Sequence, residues 1–100
     1  MFSSTNLESI TVETAAARFS ALADPIRLGI LAGLEDGAEH CVCELLRESG
    51  VAANLLSYHL AVLRRGGLVA TRRRGRWVDY RLVPEALEEL RRAVPGADLR

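Results

Sequence analysis

The sequence has 100 residues, which is the size of one domain rather than two. Hydrophobic residues make up 49% of it, which excludes a disordered chain, and no apolar run approaches the length needed to span a bilayer. The 13 basic and 13 acidic residues cancel, but they are unevenly placed: residues 1–50 carry three Arg against eight acids, and residues 51–100 carry ten Arg against five. Such asymmetry indicates a polyanionic partner, so a net charge of zero does not exclude nucleic acid.

The N-terminus predicts neither a signal peptide nor a membrane anchor, because residues 1–10 have no positive charge and no long apolar stretch. We therefore expect a cytoplasmic protein with no membrane partner, made of a single domain over 1–100 in which residues 1–10 form a flexible arm. Two cysteines make no disulfide framework and should stay reduced in that compartment. The composition, with five aromatic residues and two histidines, also argues against an enzyme.

Helical spacing of apolar residues predicts a first helix after Thr11 and a second after Asp24-Pro25, where Asp caps the helix and Pro fits its first turn. A short third helix covers about 42–48. A fourth runs over about 53–65 and ends at Gly66-Gly67, as a left-handed C-cap should. The third and fourth helices together predict a helix-turn-helix unit.

Two strands follow, because residues 68–74 alternate, Gly75-Arg76 turns the chain, and residues 77–82 return as the second strand of a hairpin. Pro84 then opens a last helix that ends near residue 94. The order α-α-α-α-β-β-α predicts a mainly α fold with a β-hairpin wing, which is a winged helix-turn-helix domain.

The fourth helix is the predicted recognition helix, and its outward side chains can hydrogen-bond base edges or phosphates. A plain solvated helix face would look similar, but seven arginines between positions 64 and 81 are opposed only by Asp79. Guanidinium groups suit phosphate geometry, so we predict contact with double-stranded DNA. The predicted contacts are Asn54, Ser57, Tyr58, His59, Arg64, Arg65, Arg73, Arg74 and Arg76. A lone helical histidine more often packs than binds, which is the alternative for His59.

Five stretches, in order, resemble the ArsR/SmtB family of bacterial metal- and metalloid-sensing repressors. They are LADPIRLGIL at 22–31, EHCVCEL at 39–45, LSYHL at 56–60, LRRGGLV at 63–69 and GRWVDYRL at 75–82. The resemblance covers about 19–90 and implies a homodimeric repressor, paired through its first and last helices, that leaves its operator when an inducer binds. Ala53 stands where the family often has Gln, and Tyr58 where His is frequent, so the bases that are read stay open.

Cys41 and Cys43 open the third helix. In a regular helix, side chains two positions apart point about 200° away from each other around the helix axis, so two such sulfurs cannot easily bind the same ion. At a helix start or in a distorted turn, both sulfurs can bind one ion. The helix N-terminus favours the thiolate, and thiolates select As(III), Sb(III), Cd(II), Pb(II) or Zn(II). The alternative is that one or both cysteines are small buried apolar residues.

Within the resemblance, Cys-Val-Cys followed by an acid and Leu is similar to the arsenic-sensing pattern, which implies As(III) or Sb(III) as the inducer at Cys41 and Cys43. Arsenic sensors of this pattern often have a third Cys where this chain has Leu46. His40, Glu44, water or a small external thiol can complete the site instead. The family's zinc and cobalt sensors use His on the last helix, and this chain has none there.

Two other signals remain open for the same cysteines. One is Cd, Pb or Zn in place of As(III) or Sb(III). The other is a thiol oxidant or persulfide, although a Cys-x-Cys disulfide is strained. A thiol-redox enzyme is a poorer fit, because it would need Cys-x-x-Cys on a thioredoxin-like fold.

Overall fold

The computed structural model describes residues 6–7, 10–97 and 99. Within these residues, the predicted winged helix-turn-helix order is confirmed. The elements are β1 (Asn6–Leu7), β2 (Ile10–Thr11), α1 (Val12–Leu22), α2 (Pro25–Gly33), β3 (His40–Cys41), α3 (Val42–Ser49), α4 (Ala53–Arg65), β4 (Val69–Arg74), β5 (Trp77–Leu82) and α5 (Pro84–Ala93). None of the helices in the described part of the chain is long and apolar enough to span a membrane.

The start of α2 follows from its capping residue. The Asp24 carboxylate accepts hydrogen bonds from the backbone amides of Ile26 and Arg27, at 2.8 and 3.1 Å. These amides have no partner inside the helix, so the cap satisfies them and Pro25 fits the first turn without loss of a hydrogen bond. The hydrogen bond from the Arg27 amide is the main reason why the pKa of Asp24 lies below its usual value.

The end of α4 determines where the wing begins. Gly67 has a φ of +74°, which glycine adopts without steric cost. Its amide donates to the Arg64 carbonyl at 3.0 Å, and the Leu68 amide donates to the Leu63 carbonyl at 3.0 Å. This pair of bonds is the Schellman motif, which turns the chain sharply from the helix into β4.

The hydrophobic core lies beneath α4 and the base of the wing. Its largest fully buried side chains are leucines from the end of α2, from α4 and from the turn after it: Leu34, Leu56, Leu60, Leu63 and Leu68. The apolar stripe of α4 thus faces inward, which leaves its polar residues on the opposite, solvent-facing side.

The wing contains one strand more than the predicted hairpin. β4 and β5 pair antiparallel from Val69↔Leu82 to Arg74↔Trp77, and β3 pairs antiparallel with the other edge of β5. The register places Cys41 opposite Asp79. A two-residue strand has too few positions to show an alternating pattern, so only its distant partner defines it.

A short ladder also forms where the sequence predicted a flexible arm over residues 1–10. β1 pairs antiparallel with β2, and Ile10 is 9% exposed and joins the hydrophobic core. Burial of this isoleucine is the physical reason why the chain is held here. Residues 1–5, 8 and 9 lie outside the described part of the chain.

Candidate thiol site and nucleic-acid interface

Cys41 ends β3 and is the N-cap of α3, whereas Cys43 lies in the first turn of that helix. The backbone at Cys41 is extended, with φ −66° and ψ 143°, and its sulfur accepts a hydrogen bond from the Cys43 amide at 3.3 Å. The two sulfurs are joined as a disulfide, with the Cα atoms 5.2 Å apart. A helix start therefore brings together two sulfurs that a helix interior would point in different directions.

This geometry fits a thiophilic ion only in part. Cys41 is half-buried and Cys43 is exposed, so the reduced thiolates would converge at a point open to solvent. Among the described residues, however, no group of three His, Cys, Asp or Glu side chains could hold a metal ion. The chain thus offers two sulfur donors, and As(III), which accepts three ligands, would need one from elsewhere.

His40 is not placed to be that third ligand. Its Nδ1 lies 2.5 Å from Glu44 Oε2, and its Nε2 lies 2.9 Å from Asp36 Oδ2. The hydrogen bonds to Asp36 and then to Glu44 raise the pKa of His40 to about 9, so at neutral pH the ring is a cation that donates from both nitrogens. A metal-binding histidine needs a lone pair, so this arrangement argues against His40 as a ligand.

The loop before β3 is also tied to the wing. Glu39 accepts a hydrogen bond from Arg72 on β4 at 3.2 Å. Sequence reasoning missed the roles of Asp36 and Arg72, although the spacing of four between Asp36, His40 and Glu44 was a signal for a chain of ion pairs. The turn that carries the cysteines is thus connected to both the loop after α2 and the sheet.

The recognition helix presents most of its predicted contacts to solvent. Asn54, Ser57, Tyr58, Arg64 and Arg65 are all exposed, and Tyr58 is exposed by 57% despite its large ring. Within the described residues, the structure records no hydrogen bond or ion pair for either Arg64 or Arg65. Two adjacent cations at the end of α4 are therefore available to an anionic partner.

His59 differs from its neighbours on α4, and its assignment as a DNA contact needs correction. Its residue exposure is only 5%, and its Nδ1 lies 2.9 Å from a guanidinium nitrogen of Arg27 on α2. Arg27 also donates from Nε to the Ala21 carbonyl at 2.6 Å. The ring lies between helices because it continues the buried stripe of Leu56 and Leu63, so it packs and does not face a groove.

The arginines of the wing have two different environments. Arg74 donates two hydrogen bonds to Asp79, of which Nη2 to Oδ1 measures 2.9 Å, and Asp79 is 5% exposed. Arg74 lowers the pKa of that buried carboxyl, which keeps it ionised. Arg73, in contrast, is exposed, and among the described residues it donates only to the Gly75 carbonyl at the tip. Arg74 thus stabilises the hairpin, and it has less capacity for phosphate than the sequence suggested.

The tip of the wing carries one residue that the sequence analysis did not single out. Trp77 is 45% exposed, and the Arg76 guanidinium lies over its ring, 5.3 Å from the centroid. A cation on an exposed indole forms a flat, positively charged surface. A large aromatic side chain directly after the predicted turn was the available signal.

Comparisons with known proteins agree with this architecture. The family model described as "Bacterial regulatory protein, arsR family" matches residues 24–71. The arsenical resistance operon repressor of Escherichia coli K12 is 46% identical over 66 residues, which cover 66% of this chain and 56% of that repressor. An uncharacterized HTH-type transcriptional regulator of Methanocaldococcus jannaschii is 36% identical over 78 residues, covering 78% of this chain and 88% of the relative.

Solved structures support the same relationship. An ArsR-like transcriptional regulator from Rhodococcus sp. RHA1 superposes with a TM-score of 0.73 at 30% identity, over 82% of this chain and 76% of that one. The family predicted from the sequence motifs is confirmed, and with it the prediction of a transcription regulator rather than an enzyme. The chain belongs to the ArsR family of bacterial regulatory proteins.

Proposed function

We propose that this chain is a homodimeric repressor of a metalloid-resistance operon, released from operator DNA when As(III) or Sb(III) binds Cys41 and Cys43. The observation that carries the proposal is the meeting of the two sulfurs at the start of α3. The E. coli relative is named an arsenical resistance operon repressor, which supports the same class of inducer. We place the protein in the cytoplasm, where the thiols would be reduced.

DNA binding is assigned to α4 and the wing. Asn54, Ser57 and Tyr58 lie on the exposed side of the first turns of α4, the part that enters a major groove in helix-turn-helix proteins. Arg73 and Arg76 extend this surface along the wing, where they can contact the phosphate backbone. Neutralising about 6–10 phosphates per dimer should lower affinity about 10³–10⁵-fold between 50 and 200 mM salt.

Release is assigned to the contacts of α3. This helix packs against α4 and against β5, so it supports both DNA-contacting elements. Bound As(III) would supply a centre that binds both thiolates and fixes the distance between them. The first turn of α3 would bend, and the bend would disturb the position of α4. Coupling between two such sites is typically about 1–3 kcal/mol, or about 5–150-fold in affinity.

The dimer is proposed to form through α1 and α5. These helices contact each other within the chain, and Arg18 on α1 bonds Glu89 on α5 at 2.8 Å. A twofold dimer would present two recognition helices to half-sites about 34 Å apart. Analytical ultracentrifugation of the reduced chain should report a dimer, and a monomer at micromolar concentration would contradict this part of the proposal.

The main test is fluorescence anisotropy on an operator duplex selected from randomised DNA, with the protein reduced by a phosphine. Arsenite or antimonite should weaken binding of the wild type about 5–150-fold. The double variant Cys41→Ser/Cys43→Ser should bind the same duplex and show no response. A response in that variant would refute the thiol sensor, and a flat salt dependence of the wild type would refute DNA binding.

Thiol oxidation is a second candidate signal for the same repressor, and the joined sulfurs favour it. In this reaction the two thiolates lose two electrons to a peroxide and one S–S bond forms. The O–O bond of the peroxide breaks, and with two protons from solvent the peroxide becomes two waters, or an alcohol and water. Hydrogen peroxide in the same assay should then release DNA, and a reductant should restore binding. Titrations with Cd(II), Pb(II) and Zn(II) distinguish the remaining inducers.

A further inference from the structure

A pocket of about 330 Å³ lies between α4 and the wing. Ser57, Arg64 and Arg65 line it from α4, and Tyr80 lines it from β5. Ser57 and Arg64 are seven positions apart, so they share one face of the helix, two turns from each other. Polar groups from two separate elements of the fold thus line a single cavity.

The pocket is cationic and has no acidic residue in its lining. Neither Arg64 nor Arg65 has a recorded ion pair within the described residues, whereas Arg72 and Arg74 on the neighbouring strand bond Glu39 and Asp79. Two adjacent like charges without a counterion repel each other, and an anion between them would remove that repulsion.

Neutral hydrogen-bond donors complete the lining. The hydroxyl groups of Ser57 and Tyr80 have no recorded partner in the described part of the chain, and the ring of Tyr80 is half-buried at the base of the wing. Two guanidinium groups and two hydroxyls match the acceptor oxygens of a phosphate, which takes several donors from different directions.

We propose that this pocket binds a phosphate group, supplied either by the DNA backbone or by free inorganic phosphate. The DNA source rests on the proposed function, whereas binding of the free anion does not. A phosphate held there would fix α4 relative to the wing, because it would bridge the last turns of the helix and β5. The pocket would then position the recognition helix rather than read bases.

One apolar wall of the pocket connects it with the thiol site. Val42 lines the cavity, and it is the residue between Cys41 and Cys43. The other apolar wall includes Leu60, which is 1% exposed and belongs to the fixed core. Bending of the cysteine turn would therefore displace the Val42 wall of the pocket relative to the α4 wall that carries Leu60.

The first experiment is a titration of the reduced, ¹⁵N-labelled full chain with sodium phosphate, at constant ionic strength kept by sodium chloride. The backbone amides of Ser57, Arg64, Arg65 and Tyr80 should shift in a saturable way. The double variant Arg64→Gln/Arg65→Gln should keep the native spectrum elsewhere and lose the saturable shift. The matched control is Arg47→Gln, because Arg47 is an exposed arginine near the end of α3 and away from the pocket.

The second experiment measures binding of a mixed-sequence duplex against salt concentration. Because the proposed dimer carries two copies of Arg64, Arg64→Gln should reduce the slope of log affinity against log salt by about 1.8, the value of two lost phosphate contacts, and Arg47→Gln should leave it unchanged. If phosphate binds but the slope does not change, the pocket takes the free anion. If phosphate does not bind but the slope falls, its occupant is a backbone phosphate.

The results that overturn the two proposals differ. If wild type binds the duplex with a steep salt dependence, and the pocket variants match it in both experiments, the phosphate pocket is wrong while the repressor survives. If wild type binds no duplex at any salt, the proposed function fails and the phosphate titration still decides about the pocket.

A last measurement tests the wall formed by Val42. Arsenite should weaken phosphate binding by the wild type at least severalfold, because a ligand that distorts a site lowers its affinity for the other ligand. The Cys41→Ser/Cys43→Ser variant should bind phosphate equally well with and without arsenite. Equal phosphate affinity of the wild type with and without arsenite would refute the role of Val42.

Discussion

The two histidines of this chain lie in opposite surroundings. His40 lies between the carboxylates of Asp36 and Glu44, and its ring is a cation at neutral pH. His59 lies between α2 and α4, and its Nδ1 faces the guanidinium of Arg27. Arginine has no acceptor, so in this contact the histidine nitrogen accepts a hydrogen bond.

This difference shows how one residue type can stabilise two functional elements in different ways. The first histidine joins the loop after α2 to the first turn of α3, and so holds the cysteine turn by charge. The second fills space under the recognition helix and holds it by packing and one hydrogen bond. The first site should therefore respond to pH, and the second to the volume of the side chain.

The largest effect is expected at the buried histidine. His59→Ala should lower the free energy of unfolding by about 2–4 kcal/mol, because it leaves a cavity and removes the partner of Arg27. Urea denaturation followed by circular dichroism measures the loss. Tyr58→Ala, next to it on the exposed face, should change stability by no more than about 0.5 kcal/mol. Equal losses in the two variants would contradict the packing role.

A smaller effect is expected at the helix cap beside this histidine, where Asp24 Oδ1 lies 4.0 Å from His59 Nδ1. Asp24→Ala should cost about 1 kcal/mol, and Asp24→Asn clearly less, because asparagine also caps helices. The pKa of Asp24 is lowered in the folded chain, so the ionised cap stabilises it above pH 4 and loses this effect as acid protonates the folded carboxyl. Urea unfolding at pH 7 and pH 3 should show a larger acid loss for wild type than for Asp24→Asn.

The smallest effect is expected at His40, because Asp36 is largely open to solvent and such ion pairs contribute about 0–1 kcal/mol. The folded pKa of His40 is about 9, above its ordinary value of 6.5. Its stabilisation is therefore complete below pH 6.5 and is lost as the pH rises to about 9. Reduced wild type should lose more stability than His40→Gln between pH 6.5 and 9.5, and parallel curves would contradict the charged clamp.

Much of the fold was predictable because its signals are local. Asp24-Pro25 and Gly66-Gly67 terminate helices through hydrogen bonds to residues a few positions away, and the observed α4 has the predicted bounds. β3 and the β1–β2 ladder were not predicted, because their two-residue strands have too few positions for an alternating pattern.

The residues of the candidate sites were predictable from the sequence, but the partners with which they interact were not. The cysteines and the arginines were identified from the sequence, yet it did not reveal that Arg74 bonds a buried carboxylate while Arg64 lines a cavity. The Arg74–Asp79 bond depends on the pleat of the hairpin, and the cavity beside Arg64 depends on how α4 packs against that hairpin. The burial of His59 had a signal, since it lies three positions after Leu56 and four before Leu63 in the same apolar stripe.

The pairing of Cys41 with Asp79 links the thiol geometry to the folding of the chain. The two partners are far apart in sequence, so their strands meet only after α3, α4 and the hairpin have been brought together, and closing such a loop costs entropy. In an unfolded or newly made chain the segment before Cys41 has no strand to pair with. The extended backbone that presents both sulfurs at one point is therefore a property of the completed domain, and a chelating thiol pair also reports that the domain has folded.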